Sequence, residues 1–562
     1  MIAGLVLLCV TTVQAAEEDD AIVLTAEDIR DMKANKMADV LNHIPGVTAG
    51  DSSVGIHGSY KVKVILDGSP INDPSSSYGA VNWDMISPDN VERIEILRGK
   101  GGLKYGQDAG GGVILITTRR IRHLSGNVKA YAGNHNTRYS HANMQMTAER
   151  LGVSVNAGLE STDGYNINSD DRRRQAGAKL VYTLDAGKAF SFSVDHLEDE
   201  RGQSGLPDFP TPFARKQSHA TNLSTQARFR DVTGNIYYNE GYQHNTDTSK
   251  KLDQILRVTE LGQNLAGSTS AGNWGELNYG GGYLLGKATG SLFDDQQEET
   301  FSAFASESLQ WPNLCMGLTF GLRANINSAF DDALNPEIKA IYKKERWRLT
   351  AAYSRVNNTP SFHQRYNQTS STRPNPGLNM ETADNFNLAL FVQAHATLSA
   401  STSVFYNRIG DRITYVTGDD GVGQYQNFGE VTYTGGDLAV SWHPLEPITI
   451  KGSTTYLEAK DQETGLMLPA KARHQATLDI YWQPTDALST VLTTKTVSEV
   501  YRDKNNTQTV PGCTLAGVRA EYAFTRFSLF AEIENLFDKT YYYTDGYLGP
   551  PLTFLVGVIW RI

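Results

Sequence analysis

Residues 151–161 read LGVSVNAGLES, and the stretch alternates strictly. Leu151, Val153, Val155, Ala157 and Leu159 fall on one face of an extended chain. Gly152, Ser154, Asn156, Gly158 and Glu160 fall on the other. FSFSVD repeats the pattern, with Phe190, Phe192 and Val194 set against Ser191, Ser193 and Asp195. Two more rows are Phe527, Leu529, Ala531, Ile533 and Leu552, Phe554, Val556, Val558, Trp560, Ile562. The alternation dominates from residue 123 to 562. It predicts tilted strands of about ten residues, with lipid on one side and a polar lumen on the other. A soluble sandwich or propeller also alternates. Against it, no blade signature recurs, and the second face carries charge and glycine where a second core would need apolar side chains.

Composition narrows the classes. The 562 residues hold 51 Lys and Arg against 62 Asp and Glu, a net charge of −11, which argues against nucleic acid as a partner. Charged residues at 20% and hydrophobic residues at 40% exclude a disordered chain. Three Cys exclude a disulfide scaffold. The 27 Tyr and 7 Trp suit aromatic girdles at the two membrane interfaces. Residues 1–16 read as a secretory signal with an apolar core and small residues at its end, lacking the usual basic start. Cys9 follows Leu8, which is too large for a lipid-attachment site. No later run approaches the ~20 apolar residues of a spanning helix.

Residues 20–122 follow a different pattern. Thr25 with Asp28 three positions on forms a capping box. Met37, Val40, Leu41 and Ile44 make a helical stripe, stopped by His43, Pro45 and Gly46. Short strands are expected at 61–67, 91–98 and 112–118, separated by Gly, Pro, Ser and Asn loops. This is an α+β domain ahead of the barrel.

Several segments resemble the TonB-dependent outer-membrane transporters. ADVLNHIPGV and VKVILDGSPIND resemble the family's early helix and its strand and loop, and residues 90–120, NVERIEILRGKGGLKYGQDAGGGVILITTRR, resemble the end of its plug. NTPSFHQRY with NPGLNMETADNFNLAL resembles a mid-barrel motif, and IENLFDKTYYYTDGYLGPPLTFLVGVIW resembles the last two strands. DGYNINSDDRRR resembles an early extracellular loop. Departures are His57 where the family often has Arg, and Ile562 where Phe is usual.

The resemblance implies an all-β transmembrane barrel of about 22 antiparallel strands, residues 123–562, with the plug inside its lumen. It implies active import of a scarce metal chelate, a ferric siderophore first, with cobalamin or haem as alternatives. A receptor that binds without transporting is a further alternative. The expected partners are TonB with ExbB and ExbD, outer-membrane lipid and the chelate, for a monomer in the outer membrane of a Gram-negative bacterium. Ile22, Val23 and Leu24, within 20–26, are either the TonB-pairing segment or the first plug strand. Glu92, Arg93, Glu95 and Arg98 are expected to tie plug to wall, or to form a solvated edge.

Ligand contacts are expected at the plug apices, residues 55–61, 72–83 and 103–110. Tyr60, Asn72, Tyr78 and Trp83 are the candidates there, because aromatic rings and amides suit a bulky chelate. Barrel-loop candidates are Tyr165, Phe209, Phe213, Tyr366, Tyr425 and Tyr547. His363 stands where haem-transporting relatives can place an axial ligand. Asp163, Asn166, Asn168, Asp170 and Asp171 make an oxygen-rich loop that could hold Ca²⁺, although an acidic solvated loop is the plainer reading. No protein-bound metal or covalent cofactor is expected. Cys315 and Cys513 could pair only if their Cα atoms come within about 7 Å. No HExxH, G-x-S-x-G or paired CxxC is present, so catalysis has no support.

Overall fold

The computed structural model describes residues 21–272, 275–368, 372–417, 423–427 and 429–562. The signal expected at 1–16 lies outside them. Twenty-two antiparallel strands close into a barrel. The first, Ser125–Gly133, seals against the last, Thr553–Arg561, with Leu555 opposite Gly133. Two-residue turns such as 186–187 and 345–346 join strands at one rim, and the long connections that begin at residues 359 and 411 leave from the other. That asymmetry places the long loops outside the cell.

The strand Leu151–Thr162 turns out as its sequence predicts. Leu151, Val155 and Leu159 face lipid, while Gly152 and Ser154 face inward and are buried against the plug or linker. On the outer face near the long-loop rim, Tyr353 donates its hydroxyl to Asp384 at 2.8 Å, and Arg355 binds both carboxylate oxygens. An amphipathic ring joined to an ion pair suits the headgroup level.

Inside the barrel sits the plug. Its sheet comprises β1 (Ile22–Thr25), β4 (Val62–Leu66), β5 (Ser69–Pro70), β6 (Val91–Arg98) and β7 (Gly112–Thr118), in the order β1-β6-β7-β4-β5. β2 (Val47–Ala49) and β3 (Val54–Ile56) form a separate ribbon. Helices α1 (Ala26–Asp31), α2 (Met37–Asn42) and α3 (Gly102–Tyr105) complete it. The capping box forms: Thr25 Oγ1 accepts the Asp28 N–H at 3.2 Å, and Asp28 Oδ2 accepts the Thr25 N–H at 3.0 Å. Met37, Val40 and Leu41 pack with Ile94, Ile96, Ile114 and Ile116 into one core. The glycine run before β7 has a steric cause. A Cβ on Gly112, at φ +131, would lie 2.1 Å from the Leu97 carbonyl oxygen.

Candidate functional site: the plug-wall junction and the outer mouth

Plug and wall meet through buried ion pairs and hydrogen bonds. Their centre is Asp437, on the strand Val431–Leu445. Its Oδ2 accepts from His57 Nε2 at 2.8 Å, Arg98 Nη1 at 2.7 Å and Ser403 Oγ at 2.9 Å. Its Oδ1 accepts from Thr455 Oγ1 at 2.8 Å. His57 also stacks on Phe405, with centroids 3.6 Å apart. Burial pushes the His57 imidazole below its ordinary value, outweighing the pull of Asp437. A neutral His57 donating from Nε2 to the carboxylate satisfies both.

Of the four charges expected to span this junction, Arg98 does so. Glu92 accepts the Arg120 backbone N–H at 2.9 Å, and Arg93 donates to Glu95 at 2.8 Å within the strand. Further ties lie beyond the residues singled out in the sequence. Lys36 reaches Glu160 at 2.8 Å, Arg173 reaches Asp84 at 2.9 Å, and Lys179 reaches Asp67 at 2.7 Å. His43 pairs with Asp479 at 2.7 Å. The only signal for these in the sequence is a charge at an inward strand position.

Ile22, Val23 and Leu24 form β1, antiparallel to β6 with Val23 opposite Glu95. β1 is an edge strand of the plug sheet.

The outer mouth has an aromatic and cationic floor. Tyr60, 38% exposed, carries the Lys471 ammonium 3.6 Å above its ring centre. Lys471 also donates to the Gly58 carbonyl at 2.5 Å. Burial and the nearby Arg412 push Lys471 well below its ordinary value. Burial and Arg412 likewise lower Lys504, which donates to the Tyr415 carbonyl at 2.9 Å. Arg412 therefore acts on both lysines, with carboxylates close by as well, Asp461 near Lys504 and Asp545 near Tyr60. Burial pushes the Tyr60 phenol up to about 12, so its hydroxyl stays protonated and available to donate.

Tyr78 is half exposed, and its ring meets Tyr425 edge-on at 6.4 Å. Tyr425 is buried with Leu378 and Ile413. Tyr547 is exposed, and Tyr165 donates to the Leu548 carbonyl at 3.0 Å in the same loop. Phe209 and Phe213 are exposed in a neighbouring loop. Two expected contacts are corrected. Trp83 is a plug-core side chain, 3% exposed, with its indole N–H on the Ser53 carbonyl at 3.3 Å. Asn72 braces a plug turn, accepting the Val64 N–H at 2.8 Å and donating to the Val62 carbonyl at 2.9 Å. An aromatic or an amide in a glycine-rich loop reads alike whether it faces inward or outward.

Tyr366 and His363 lie on helix α4 (Phe362–Tyr366). There Arg365 is packed against the rings of Phe330, Phe362 and Tyr366 at 4.7–5.0 Å and paired with Glu298. Tyr366 thus serves as part of an anchor for the loop. Burial, with Lys216 nearby, pushes His363 down to about 4, so its ring is neutral. Several oxygens of the 163–171 loop have partners within the protein. Both oxygens of Asp170 are taken by Arg215 at 2.6 and 3.0 Å, Asp171 pairs with Arg173, and Asn168 turns its amide N–H groups onto three carbonyls. Cys315 and Cys513 are free and sit at opposite rims, in a short turn and at the start of a strand beneath a long loop.

Comparison with known proteins places this architecture. The family model for a TonB-dependent receptor-like β-barrel matches residues 65–536, and the TonB-dependent receptor plug model matches 16–113. A ferric enterobactin receptor of Pseudomonas aeruginosa is 24% identical over 94% of this chain and 90% of its own length. An iron-regulated outer membrane virulence protein of Vibrio cholerae is also 24% identical, over 95% and 91%. Among solved structures, the siderophore receptor PirA from Acinetobacter baumannii superposes with a TM-score of 0.81 at 15% identity, covering 96% of this chain and 98% of that one. The FrpB iron transporter of Neisseria meningitidis gives 0.81 at 14%, covering 96% and 99%.

Proposed function

Because this chain belongs to the TonB-dependent receptor family of the outer membrane, we propose that it imports a ferric siderophore, of the anionic catecholate kind, across that membrane. The observation that carries the choice of cargo is Lys471 held over the Tyr60 ring at 3.6 Å, with the basic side chains of Arg412 and Lys504 near it, in a chain whose net charge is −11. Catecholate oxygens are charged and their rings are flat, so one ligand can meet ammonium groups and tyrosine rings together. Relatives named as ferric enterobactin receptors support the same reading.

A plugged lumen gives no free path, and the outer membrane carries no ATP. Work therefore comes from TonB, driven by ExbB and ExbD. TonB would add as a strand along the open edge of Ile22–Thr25, where main-chain hydrogen bonds supply the strength. Force on β1 then passes straight to β6, whose last residue Arg98 is anchored on Asp437. Among the described residues the closed wall has no free strand edge, which fits a monomer.

The test is uptake of radiolabelled ferric enterobactin in a receptor-deletion strain complemented with intact protein or Lys471→Gln. Intact protein should restore uptake, and the variant should bind the chelate on the order of tenfold more weakly, as for a lost hydrogen bond to a charged group. Equal affinity in both, or restoration only of a neutral hydroxamate chelate, would overturn the reading.

A further inference from the structure

A single buried line of hydrogen bonds joins the plug apex to the root of an outer loop. The Gly110 N–H donates to Asn358 Oδ1 at 3.1 Å. Asn358 Nδ2 donates to Glu381 Oε2 at 3.2 Å. Glu381 Oε1 accepts the Ile413 N–H at 2.8 Å. Asn358 has no exposed surface, Glu381 is 6% exposed and Ile413 is 4% exposed. Both ends of the line are backbone N–H groups, which can only donate. That fixes the Asn358 amide with its oxygen toward the plug and its nitrogen toward Glu381. A second strut runs beside it: Asp108 Oδ1 accepts the Thr359 N–H at 2.7 Å, and Lys61 donates to the Thr359 carbonyl at 3.1 Å.

The far end of the line carries part of the mouth. Ile413 opens the hairpin Ile413–Thr417 and Gly423–Asn427, which bears Tyr415 and Tyr425. Tyr425 meets Tyr78 of the plug at 6.4 Å. We propose that Asn358 and Glu381 are positioning residues that make the seating of the plug apex and the setting of this hairpin one equilibrium. The transport consequence rests on the reading that the mouth receives the chelate. A cargo that holds the hairpin would then be felt at Gly110, and displacement of residues 103–110 would release the hairpin.

The polarity of the line supplies the test. Glu381→Gln must keep its oxygen on Ile413 and so turns an amide N–H against Asn358 Nδ2, donor against donor. Asn358→Asp sets a carboxylate against a carboxylate. The double variant N358D/E381Q restores every donor and acceptor: the amide introduced at position 381 donates to the carboxylate introduced at position 358, which still accepts from Gly110. Amide hydrogen exchange of the full-length protein in detergent would be read over residues 103–112 and over the hairpin strands, 413–417 with 423–427. Each single variant should speed exchange in both segments on the order of tenfold, and the double variant should return both to within about twofold of the parent. Gly110→Ala, whose Cβ would lie 2.6 Å from Asn358 Nδ2, should loosen 413–417 and 423–427 without touching the hairpin itself. Exchange confined to the segment next to the mutation, or no rescue in the double variant, would overturn the proposal. Uptake of ferric enterobactin is measured in parallel and should fall in the single variants and recover in the double. If the parent takes up none, the cargo reading fails while the exchange data still decide the coupling.

Discussion

Replacing Asp437 is the sharpest test of how the plug is held. Asp437→Ala removes the common acceptor of His57 Nε2, Arg98 Nη1, Ser403 Oγ and Thr455 Oγ1 at one stroke. The Asp437 side chain is 3% exposed, His57 1% and Arg98 13%, so water cannot stand in for the lost carboxylate. Breaking a buried pair by deleting one partner costs about 3–5 kcal/mol, because the other charge stays buried and uncompensated. Asp437→Asn is gentler. Its oxygen can still face His57, Arg98 and Ser403, and its nitrogen can face Thr455 Oγ1. What it loses is charge: a hydrogen bond to a charged group is worth about 1.5–3 kcal/mol and a neutral one about 0.5–1.5, a difference of about 1–1.5 kcal/mol. At about 1.4 kcal/mol per tenfold, native-state amide exchange in residues 46–58 and 98–102 should rise roughly a hundredfold or more in D437A and about tenfold in D437N. Exchange in the distant seam strands Ser125–Gly133 and Thr553–Arg561 should not move. The reasoning is refuted if D437A changes plug exchange less than threefold, or if seam and plug loosen together.

Three other outcomes are expected. Lowering the pH should loosen the plug: His57 is held below its ordinary ~6.5, so as pH falls through 6.5 the displaced plug takes up a proton that the seated plug refuses, and stability declines until His57 itself titrates; protection of the amides of residues 46–58, taken relative to the intrinsic exchange rate at pH 7.5 and at 5.5, checks it, and equal or greater protection at pH 5.5 counts against it. Gly112→Ala should prevent the plug from closing, since its Cβ would lie 2.1 Å from the Leu97 carbonyl at a φ of +131; influx of a large antibiotic into cells with normal receptor levels is the readout, and an unchanged barrier would show that the backbone yields. Arg365→Lys should loosen α4, because a point charge cannot lie flat against three rings and reach Glu298 together; faster proteolysis within residues 359–380 would show it.

The barrel was legible because lipid and lumen impose a period of two that nothing else in the chain disturbs, as in residues 151–161. The plug was legible from its caps and glycines, Thr25 and Asp28 among them, which depend on neighbours three positions away. The site was much less so. His57 stood out in GIHG, yet its partner Asp437 is 380 residues away and reads in sequence as one more polar position on an inward face. Asn358 and Glu381 sit in segments that read as a motif, but the direction of their hydrogen bonds depends on which backbone N–H each one meets. Trp83 shows the converse failure. A large ring in a polar loop suggested a ligand contact, and only the packing of the plug reveals that the ring is core.

The seam between Ser125–Gly133 and Thr553–Arg561 constrains how the molecule is made. The two strands that complete the cylinder are the first and the last of the wall, so the seam can form only after every other wall strand has been made. Until then both carry bare ladder groups that any other extended chain could take. That final pairing also joins the two wall strands farthest apart in the chain, so it carries the largest loop-closure entropy. The plug precedes the first of those strands and has its own caps and sheet, while wall residues Leu197 and Ala220 complete its core. Its final packing therefore comes only when the wall shuts around it.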